Sequence, residues 1–340
     1  MRVGVLGINH KLASLHLREL LAKLCQRRLH PVQSTHGEHS FVLLSTCNRT
    51  EVYFSSEDLA ETHSYLLSIL RHGVNEEFDQ KLYSYFGQDC LLHLCRVTAG
   101  LDSAIVAETE IQGQVKCAYE SAQECHTLPF ELHYLFQKSL NIAKKVRSVL
   151  PFKPGLPDLS LAIYQTGTYF FKEKPEPKIL LIGASHINEK VLLFLKNKKF
   201  SQIDLCNRSQ QAGRMMADKH EIGFIEWNNL DTWHQYDWVI LGTKSSEFLI
   251  QNEGLASLAL SHKLVIDLSV PRNADPAIAR HPKITLLNID QINRRLKIRR
   301  KSLSNSLQVA EQLVIETINA QMKLFSEKEK NRLRICAISA

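Results

Sequence analysis

Cys47 stands in the polar segment Ser45–Tyr53, which directly follows the apolar run Phe41–Leu44. The apolar run has the length of a buried strand, so the cysteine is predicted to lie where a strand ends and a loop begins. The neighbouring Arg49 carries a positive charge, which favours the thiolate, the nucleophilic form of cysteine. The pattern leaves a second interpretation open, in which Asn48 and Arg49 merely cap a turn and Cys47 has no chemical role.

A second polar cluster interrupts a region, residues 88–149, whose pattern is otherwise helical. The cluster gathers carboxylate, hydroxyl and amide side chains between apolar residues: Asp102, Ser103, Glu108, Thr109, Glu110, Gln112 and Gln114. On one continuous helix Ser103 and Gln114 would lie three turns apart, but Gly113 favours a break or a close approach there. Upstream of the cluster stands His93, and a lone histidine on a helix is more often structural than catalytic.

The segment Ile179–Asn188 has the place of a phosphate-binding turn, directly after a buried strand. The ideal fingerprint has glycine at the first, third and sixth turn positions, which here are Gly183, Ser185 and Asn188. Gly183 can form the tight turn, Ser185 is small enough to admit a pyrophosphate, and the following helix supplies its N-terminal dipole. The predicted cofactor-binding residues of this turn are Gly183, Ala184, Ser185, His186, Ile187 and Asn188.

The end of the next predicted strand carries Asn207, Arg208 and Ser209 where an NAD-specific fold has an acidic residue. An arginine with polar neighbours suits the 2′-phosphate of NADP. These three residues therefore join the predicted cofactor site, and NADPH is the predicted cofactor. The alternative is that Arg208 is only a surface residue after a strand.

Three regions that must position these residues separate by hydrophobic pattern. Residues 1–150 mix strands and helices, which predicts an α+β N-terminal catalytic domain. Residues 155–290 alternate strand and helix, which predicts an NADP-binding domain with a Rossmann-type doubly wound parallel sheet. Residues 291–340 contain neither Gly nor Pro. Their apolar residues recur every three or four positions, which predicts one long amphipathic C-terminal helix. The fold class is thus α/β and multidomain.

The apolar stripe of that long helix cannot be buried against the helix itself. It needs a second copy of the chain, which predicts a homodimer, or it packs along the chain's own domains. The net charge of +7 is compatible with a polyanionic partner and does not demand one.

Composition excludes several classes of protein. The chain has 8 cysteines without a CxxC pair, and His93 between Cys90 and Cys95 lacks a second pair of ligands, so no metal site is predicted. No apolar run approaches the roughly 18 residues that span a bilayer. The run Val3–Ile8 is too short for a signal peptide. We therefore expect a cytoplasmic protein without membrane association.

Taken together, these motifs resemble the signature segments of the glutamyl-tRNA reductases. The resemblance covers about residues 1–300 and rests on Gly7–Lys11, Ser45–Tyr53, His93–Lys116, Asn207–Ser209 and Ile266–Arg272. It implies NADPH-dependent reduction of glutamyl-tRNA(Glu) to glutamate-1-semialdehyde through a thioester on Cys47, the first step of tetrapyrrole (porphyrin) biosynthesis.

The resemblance also implies roles for single residues and partners. Cys47 would be the nucleophile and His93 a second catalytic residue. The side chains that would bind the substrate are Thr46, Asn48, Arg49, Ser103, Glu108, Thr109, Glu110 and Gln114. Of these, Arg49 suits a bidentate contact with the glutamate carboxylate. The implied partners are the tRNA, a second copy of the chain, and glutamate-1-semialdehyde aminomutase, which would receive the reactive aldehyde directly.

Three features depart from the family pattern. The dinucleotide turn has fewer glycines, Glu108-Thr109-Glu110 stands where Glu-Pro-Gln is usual, and the C-terminal region is shorter than the family's dimerisation domain. Two alternative functions stay open. One is another NADP-linked dehydrogenase of the shikimate-dehydrogenase type, for which Cys47 would be irrelevant. The other is a non-catalytic tRNA-binding or regulatory protein that has lost its nucleotide.

Overall fold

The computed structural model describes residues 1–29, 40–103, 110–149, 159–174, 176–252, 255, 261–296 and 304–339. The chain divides into two compact units. One contains Met1–Pro154 and Arg299–Ala340, and the other contains Gly155–Ile298. The predicted C-terminal segment 291–340 is therefore shared between the two units and does not form a third one.

The first unit is built on a four-stranded antiparallel sheet with the order β2-β3-β1-β4. Its strands are β1 (Gly4–Asn9), β2 (Ser40–Ser45), β3 (Arg49–Ser55) and β4 (Tyr83–Phe86). The strand predicted at Phe41–Leu44 is confirmed, since this run lies inside β2. The sequence did not predict β4, because four residues at a sheet edge give too short a pattern.

Five helices pack on this sheet: α1 (Leu15–Arg28), α2 (Leu59–Gly73), α3 (Gly87–Thr98), α4 (Glu110–Cys125) and α5 (Phe130–Val149). The sheet carries a core on each face. Along β3, Val52 and Phe54 join the core that contains α1 and α2, whereas Tyr53 joins the core that contains α3, α4 and α5. Since successive strand residues face opposite sides, Arg49 and Glu51 share the face of Tyr53. The strand thus directs these two charged side chains into the protein interior.

The helical region 88–149 is interrupted earlier than the sequence predicts. Helix α3 ends at Thr98, and Gly100 has the left-handed φ of +77°, a conformation in which glycine commonly ends helices. The break predicted at Gly113 is wrong, since this residue lies inside α4. A Cβ placed on Gly113 would meet no side chain or neighbouring element of the described residues within 4 Å, so among these residues it marks no close approach either.

The second unit contains a six-stranded parallel sheet with the order β10-β9-β8-β5-β6-β7. Its strands are β5 (Ile179–Ile182), β6 (Ile203–Cys206), β7 (Gly223–Ile225), β8 (Trp238–Leu241), β9 (Lys263–Asp267) and β10 (Ile284–Asn288). Its helices are α6 (Leu159–Phe170), α7 (His186–Asn197), α8 (Gln210–His220) and α9 (Ile289–Leu296). The predicted Rossmann-type sheet is confirmed. The chain reverses its direction of travel across the sheet between β5 and β8, where such folds bind ligands.

The last described helix, α10 (Ser304–Ser339), packs on the first unit. Ala310, Val314 and Ile318 are at most 2% exposed and belong to the core formed by α3, α4 and α5. The stripe that led to the prediction of a homodimer is therefore covered within the chain, as the alternative prediction had it. Whether α9 and α10 continue into one another falls on residues 297–303, outside the described residues. The homodimer stays a prediction.

Candidate active site

Cys47 and Asn48 form the two-residue loop of the hairpin between β2 and β3. The backbone N–H of Thr46 donates to the carbonyl of Arg49 at 2.8 Å, which closes the hairpin. The hydroxyl of Thr46 accepts hydrogen bonds from the N–H groups of Asn48 and Arg49, both at 3.2 Å. Cys47 is partly exposed and forms no disulfide. The predicted position at a strand exit is confirmed, and the tight turn presents the cysteine at its tip.

Two residues from other elements hold this tip. The backbone N–H of His10, just after β1, donates to the carbonyl of Asn48 at 2.9 Å. Arg18 of α1 donates from Nη1 to the carbonyl of Cys47 at 2.6 Å, and Arg18 is only 1% exposed. The sequence analysis assigned no role to Arg18. The available signal is its helical spacing with Leu21 and Ala22, two buried residues of α1, because a charge at such a position needs a specific partner.

Glu51, in the middle of β3, is fully buried and takes part in four side-chain hydrogen bonds. Its partners are Arg49 and His93, both at 2.8 Å, the hydroxyl of Tyr53 at 2.6 Å, and the hydroxyl of Tyr83. Burial alone would raise the pKa of Glu51. The charge of Arg49 and the hydrogen bonds with His93 and Tyr53 outweigh burial and hold that pKa well below its usual range. Glu51 is therefore a buried carboxylate, which the sequence analysis did not single out.

Gly7 makes room for this arrangement. It pairs with Glu51 on β3 and with Tyr83 on β4. A Cβ on Gly7 would lie 2.8 Å from both Glu51 Cγ and Tyr83 Cε2. The glycine in the segment Gly7–Lys11 thus serves the close approach of two site residues.

Arg49 lies between two carboxylates and is 2% exposed. Besides its ion pair with Glu51, its Nη2 donates to the backbone carbonyl of Asp102 at 2.7 Å and to Asp102 Oδ2 at 3.0 Å. Burial would raise the pKa of Asp102, but the charge of Arg49 and the hydrogen bond from Lys11 lower it. The sequence analysis placed Arg49 against a substrate carboxylate, and in the structure it contacts the protein's own carboxylates.

The remaining predicted substrate-binding residues lie on either side of an undescribed stretch. Ser103, next to Asp102, is 2% exposed, and its Oγ has no hydrogen-bond partner among the described residues. Glu110 begins α4, and Gln114 follows one turn later with an exposed side chain. Helix α4 packs against β2, the strand that leads to Cys47. Glu108 and Thr109 lie outside the described residues.

His10 is a titratable group for which the sequence analysis proposed no role. Its Nδ1 is buried without a hydrogen-bond partner in the described parts of the chain. Burial and the nearby charges of Arg18, Arg49 and Lys11 lower its pKa to about 4. His10 is therefore a neutral imidazole at pH 7, beside the same cations that surround the hairpin tip.

A pocket of about 390 Å³ opens beside the buried charges. Its wall includes His93, Tyr85, Asp102 and Arg96. The ring of His93 stacks on Tyr85 with centroids 4.9 Å apart, while its Nε2 bonds to Glu51. His93, predicted as a catalytic residue, thus joins the buried carboxylate to a cavity open to solvent.

The dinucleotide turn in the second unit depends on one glycine and one asparagine. Gly183 has a φ of +103°, and a Cβ there would lie 2.5 Å from the carbonyl oxygen of Gly242. Asn188, fully buried, donates from Nδ2 to the carbonyls of Ile182 at 2.9 Å and Gly183 at 2.8 Å. Ser185 accepts from the Asn188 N–H at 3.4 Å and caps α7. The amide of Asn188 therefore stabilises a turn that lacks the usual third glycine.

Asn207 and Arg208, both predicted to bind the cofactor, differ in their surroundings. Asn207 accepts from the N–H of Ala184 at 2.9 Å and donates to the carbonyl of Ser209 at 2.8 Å. It stabilises the turn from within the protein. Arg208 is exposed and has no hydrogen bond or ion pair among the described residues. His186 is exposed at the start of α7. Position 183 of the turn accepts only glycine, and the exposed guanidinium of Arg208 can pair with an anion. Both features fit a dinucleotide that carries a 2′-phosphate.

The described residues contain neither a membrane-spanning helix nor a metal-binding cluster. No helix in those parts of the chain is long and apolar enough to cross a membrane. The same parts contain no group of three or more His, Cys, Asp or Glu side chains arranged to hold a metal ion.

Two family models match the chain: glutamyl-tRNA(Glu) reductase, N-terminal domain, over residues 6–150, and shikimate/quinate 5-dehydrogenase over residues 168–295. A glutamyl-tRNA reductase of Marinomonas sp. (strain MWYL1) is 28% identical over 98% of this chain and 81% of its own length. One of Shewanella baltica (strain OS155) is 29% identical over 93% and 77%. The solved glutamyl-tRNA reductase from Methanopyrus kandleri covers 98% of this chain and 82% of its own, with 21% identity and a TM-score of 0.50. That likeness shows a shared fold.

Proposed function

Because this chain belongs to the glutamyl-tRNA reductase family, we propose that it reduces the glutamyl group of glutamyl-tRNA(Glu) to glutamate-1-semialdehyde with NADPH. This aldehyde is the precursor of tetrapyrroles, so the reaction is the first step of their synthesis from glutamate. The observation that carries the proposal is the partly exposed Cys47 at the tip of a tight hairpin, held by Arg18 and by the turn of Thr46. A nucleophile must be both accessible and fixed, and this cysteine is both.

In the first step, the Cys47 thiolate attacks the carbonyl carbon of the ester that joins glutamate to the tRNA. A carbon–sulfur bond forms, and the bond from that carbon to the ribose oxygen of the tRNA breaks. The released ribose oxygen takes a proton, for which His93 is the proposed donor. His93 suits this role because it lines the open pocket and is held by Glu51.

The residues proposed to hold NADPH are those of the turn in the second unit. Gly183 lets the backbone approach the pyrophosphate, the N-terminus of α7 faces it, and Arg208 would pair with the 2′-phosphate. When bound, NADPH would supply the hydride that converts the thioester to the aldehyde, with cleavage of the carbon–sulfur bond and release of the Cys47 thiolate. Asn188 and Asn207 stabilise the conformation of the turn through hydrogen bonds between their side-chain amides and the backbone of the turn.

The proposed substrate-binding residues remain Thr46, Asn48, Arg49, Ser103, Glu108, Thr109, Glu110 and Gln114. Ser103 has the best support, because a buried hydroxyl without a partner is costly unless a ligand completes it. Thr46 and Asn48 act by fixing the hairpin tip. Arg49 would bind the glutamate carboxylate, which would replace the carboxylate of Asp102 as the ion-pair partner of its Nη2.

The test is a single turnover with glutamyl-labelled tRNA and no NADPH. We expect a glutamyl thioester on Cys47, located by mass spectrometry, together with deacylated tRNA. Cys47→Ser abolishes the thioester, because a hydroxyl is a far weaker nucleophile at this pH. Cys117→Ser is the matched control, since Cys117 is an exposed cysteine on α4, and it keeps full labelling.

Three results would contradict the proposal. If the label stays on the tRNA while the protein is folded, the thioester mechanism is wrong. If Cys47→Ser keeps full reductase activity, a dehydrogenase of the shikimate type is favoured. If an NADPH titration shows no saturable binding, the chain is a non-catalytic tRNA-binding protein.

The proposed partners and location follow from the same chemistry. We propose that the reactive aldehyde passes directly to glutamate-1-semialdehyde aminomutase and that the reaction takes place in the cytoplasm, where aminoacylated tRNA is used. A homodimer is supported by apolar side chains that stay exposed on α10, namely Val309 at 58% and Leu324 at 47%. Light scattering of the purified chain distinguishes monomer from dimer.

A further inference from the structure

The cation that contacts Cys47 is not the one next to it in sequence. Arg49, two residues away, directs its guanidinium into the ion pairs with Glu51 and Asp102. Arg18, 29 residues upstream, donates from Nη1 to the Cys47 carbonyl at 2.6 Å. The carbonyl and the thiol belong to one residue, so this contact places a positive charge beside the residue that carries the sulfur.

The Arg18 side of this contact is buried, whereas Cys47 is partly exposed. Arg18 is 1% exposed, and α1, which carries it, is capped by Ser14. A charge in a low-dielectric surrounding acts over its neighbours more strongly than one in water.

Glu19, buried next to Arg18 on α1, is one further charged side chain of this site, and the others come from three other elements. They are His10 and Lys11 after β1, Arg49 and Glu51 on β3, and His93 and Asp102 on and after α3. His10 has a pKa lowered to about 4 by burial and by Arg18, Arg49 and Lys11, so it adds no charge at neutral pH. Arg49 and Lys11 are paired with carboxylates of the protein. Within this set, Arg18 is the cation bonded to the cysteine residue itself.

We propose that Arg18 is the positioning residue for Cys47, which fixes the hairpin tip and favours the thiolate over the thiol. This assignment rests on the proposed function, since it concerns the nucleophile of that reaction. It differs from the expectation drawn from sequence, in which Arg49 supplied the charge. Arg49 has a different role in the structure, because it joins Glu51 to Asp102.

The experiment measures the rate of alkylation of Cys47 by iodoacetamide as a function of pH, read by mass spectrometry of the labelled peptide. Arg18→Gln and Arg18→Met both remove the charge. Each is expected to move the midpoint of the Cys47 profile upward by about one pH unit, which is roughly tenfold less thiolate at neutral pH. Arg18→Lys keeps the charge but loses the planar fork, so it shifts the midpoint less.

Arg27→Gln is the matched control, because Arg27 lies on the same helix and is exposed, and it leaves the midpoint unchanged. Only molecules with an unlabelled Cys90 are counted. Cys90 is fully buried in the same unit, so its labelling reports unfolding. The alkylation rate of Cys47 is therefore measured in folded molecules alone, even if a variant is destabilised.

An unchanged midpoint in folded Arg18→Gln or Arg18→Met molecules overturns the assignment, as does an equal shift in Arg27→Gln. Alkylation needs neither tRNA nor NADPH. A failure here leaves the thioester chemistry standing, and a failure to form the thioester leaves the assignment of Arg18 standing.

Discussion

The two units build their candidate sites by different physical means. In the first unit, the guanidinium of Arg49 lies within hydrogen-bonding distance of the carboxylates of Glu51 and Asp102, and Arg49 and Glu51 are buried. In the second unit, the turn at Gly183 is held by backbone geometry and by the neutral amide of Asn188. The charged residue of that site, Arg208, is exposed.

This difference determines which property a substitution should change. A buried ion pair that loses one partner leaves an uncompensated charge, and the protein loses several kcal/mol of stability. An exposed arginine contributes little to stability, so its substitution should change the affinity for the ligand and not the free energy of unfolding. Substitutions in the first site should therefore affect folding, and substitutions in the second should affect the nucleotide.

The largest expected effect is that of Glu51→Gln. It leaves the guanidinium of Arg49 buried without its main counter-charge, which should cost about 3–5 kcal/mol of the free energy of unfolding. Urea unfolding of the first unit can be followed by labelling of the buried thiols Cys90 and Cys95. Glu57→Gln is the control, since Glu57 is exposed and paired with Arg2, and it should change stability by less than about 0.5 kcal/mol. Equal effects of the two variants would refute the buried role of Glu51.

The next effect concerns how the free energy of unfolding depends on pH. Its change on acidification should have opposite signs in the two units. The pKa of His10 is about 4 in the folded state, below its unfolded value of roughly 6.5. As pH falls from about 6.5 towards 4, the unfolded chain binds a proton that the folded chain does not. The first unit therefore loses stability, on the order of 2 kcal/mol.

Asp267 in the second unit behaves in the reverse manner. It is 1% exposed, and burial raises its pKa to about 6 despite hydrogen bonds from the N–H groups of Ala274, Ser269 and Asn273. This is above the unfolded value of roughly 3.9. As pH falls through 6 towards 4, the folded state binds the proton first, so the second unit gains stability.

Two probes separate these responses. All 3 tryptophans, at positions 227, 233 and 238, lie in the second unit, so tryptophan fluorescence follows that unit alone. Pulse labelling of Cys90 follows the first. Urea midpoints between pH 7 and 4.5 should diverge, Asp267→Asn should flatten the fluorescence trend, and His10→Gln should flatten the thiol trend. Parallel trends in the two probes would show that the units share one electrostatic response.

A smaller effect is expected at two glycines, one in each unit. Gly183→Ala forces a Cβ onto the carbonyl of Gly242 at a φ of +103°, which should cost about 1–3 kcal/mol in the fluorescence-monitored unfolding. It should also weaken NADPH binding at least about tenfold. Gly113→Ala lies in open space inside a helix and should stabilise the first unit by about 0.5–1 kcal/mol. A destabilised Gly113→Ala variant would mean that this glycine has a structural role.

The smallest effect on folding is expected for Arg208→Ala. The side chain is exposed, so the free energy of unfolding should stay within about 0.5 kcal/mol. The Kd for NADPH should rise about tenfold, or roughly 1.4 kcal/mol, because a charge-assisted contact with the 2′-phosphate is lost. The Kd for NADH is the internal control and should not change. Equal losses for both nucleotides would mean that Arg208 does not contact the 2′-phosphate.

Much of the fold could be predicted from the sequence. The strands of the second unit and helix α1 follow from local hydrophobic periodicity, since each is a run of residues whose pattern depends on near neighbours alone. The strand β4 could not be predicted, because Tyr83–Phe86 is too short for a period to show. The misplaced break at Gly113 has a similar reason: a glycine in a helix and a glycine that ends one look alike until the φ angle is known.

The sequence by itself determined that Cys47 follows a buried strand, that a dinucleotide turn follows β5, and that the second sheet is parallel. Only the tertiary structure decided that Arg18 and not Arg49 contacts Cys47, and that Glu51 receives Arg49, Tyr53, Tyr83 and His93 in the protein interior. The physical reason is that periodicity is a property of adjacent residues, whereas a Coulombic interaction depends on distance in space and on burial. A residue 29 positions away can therefore donate a hydrogen bond to a cysteine although no local pattern connects the two.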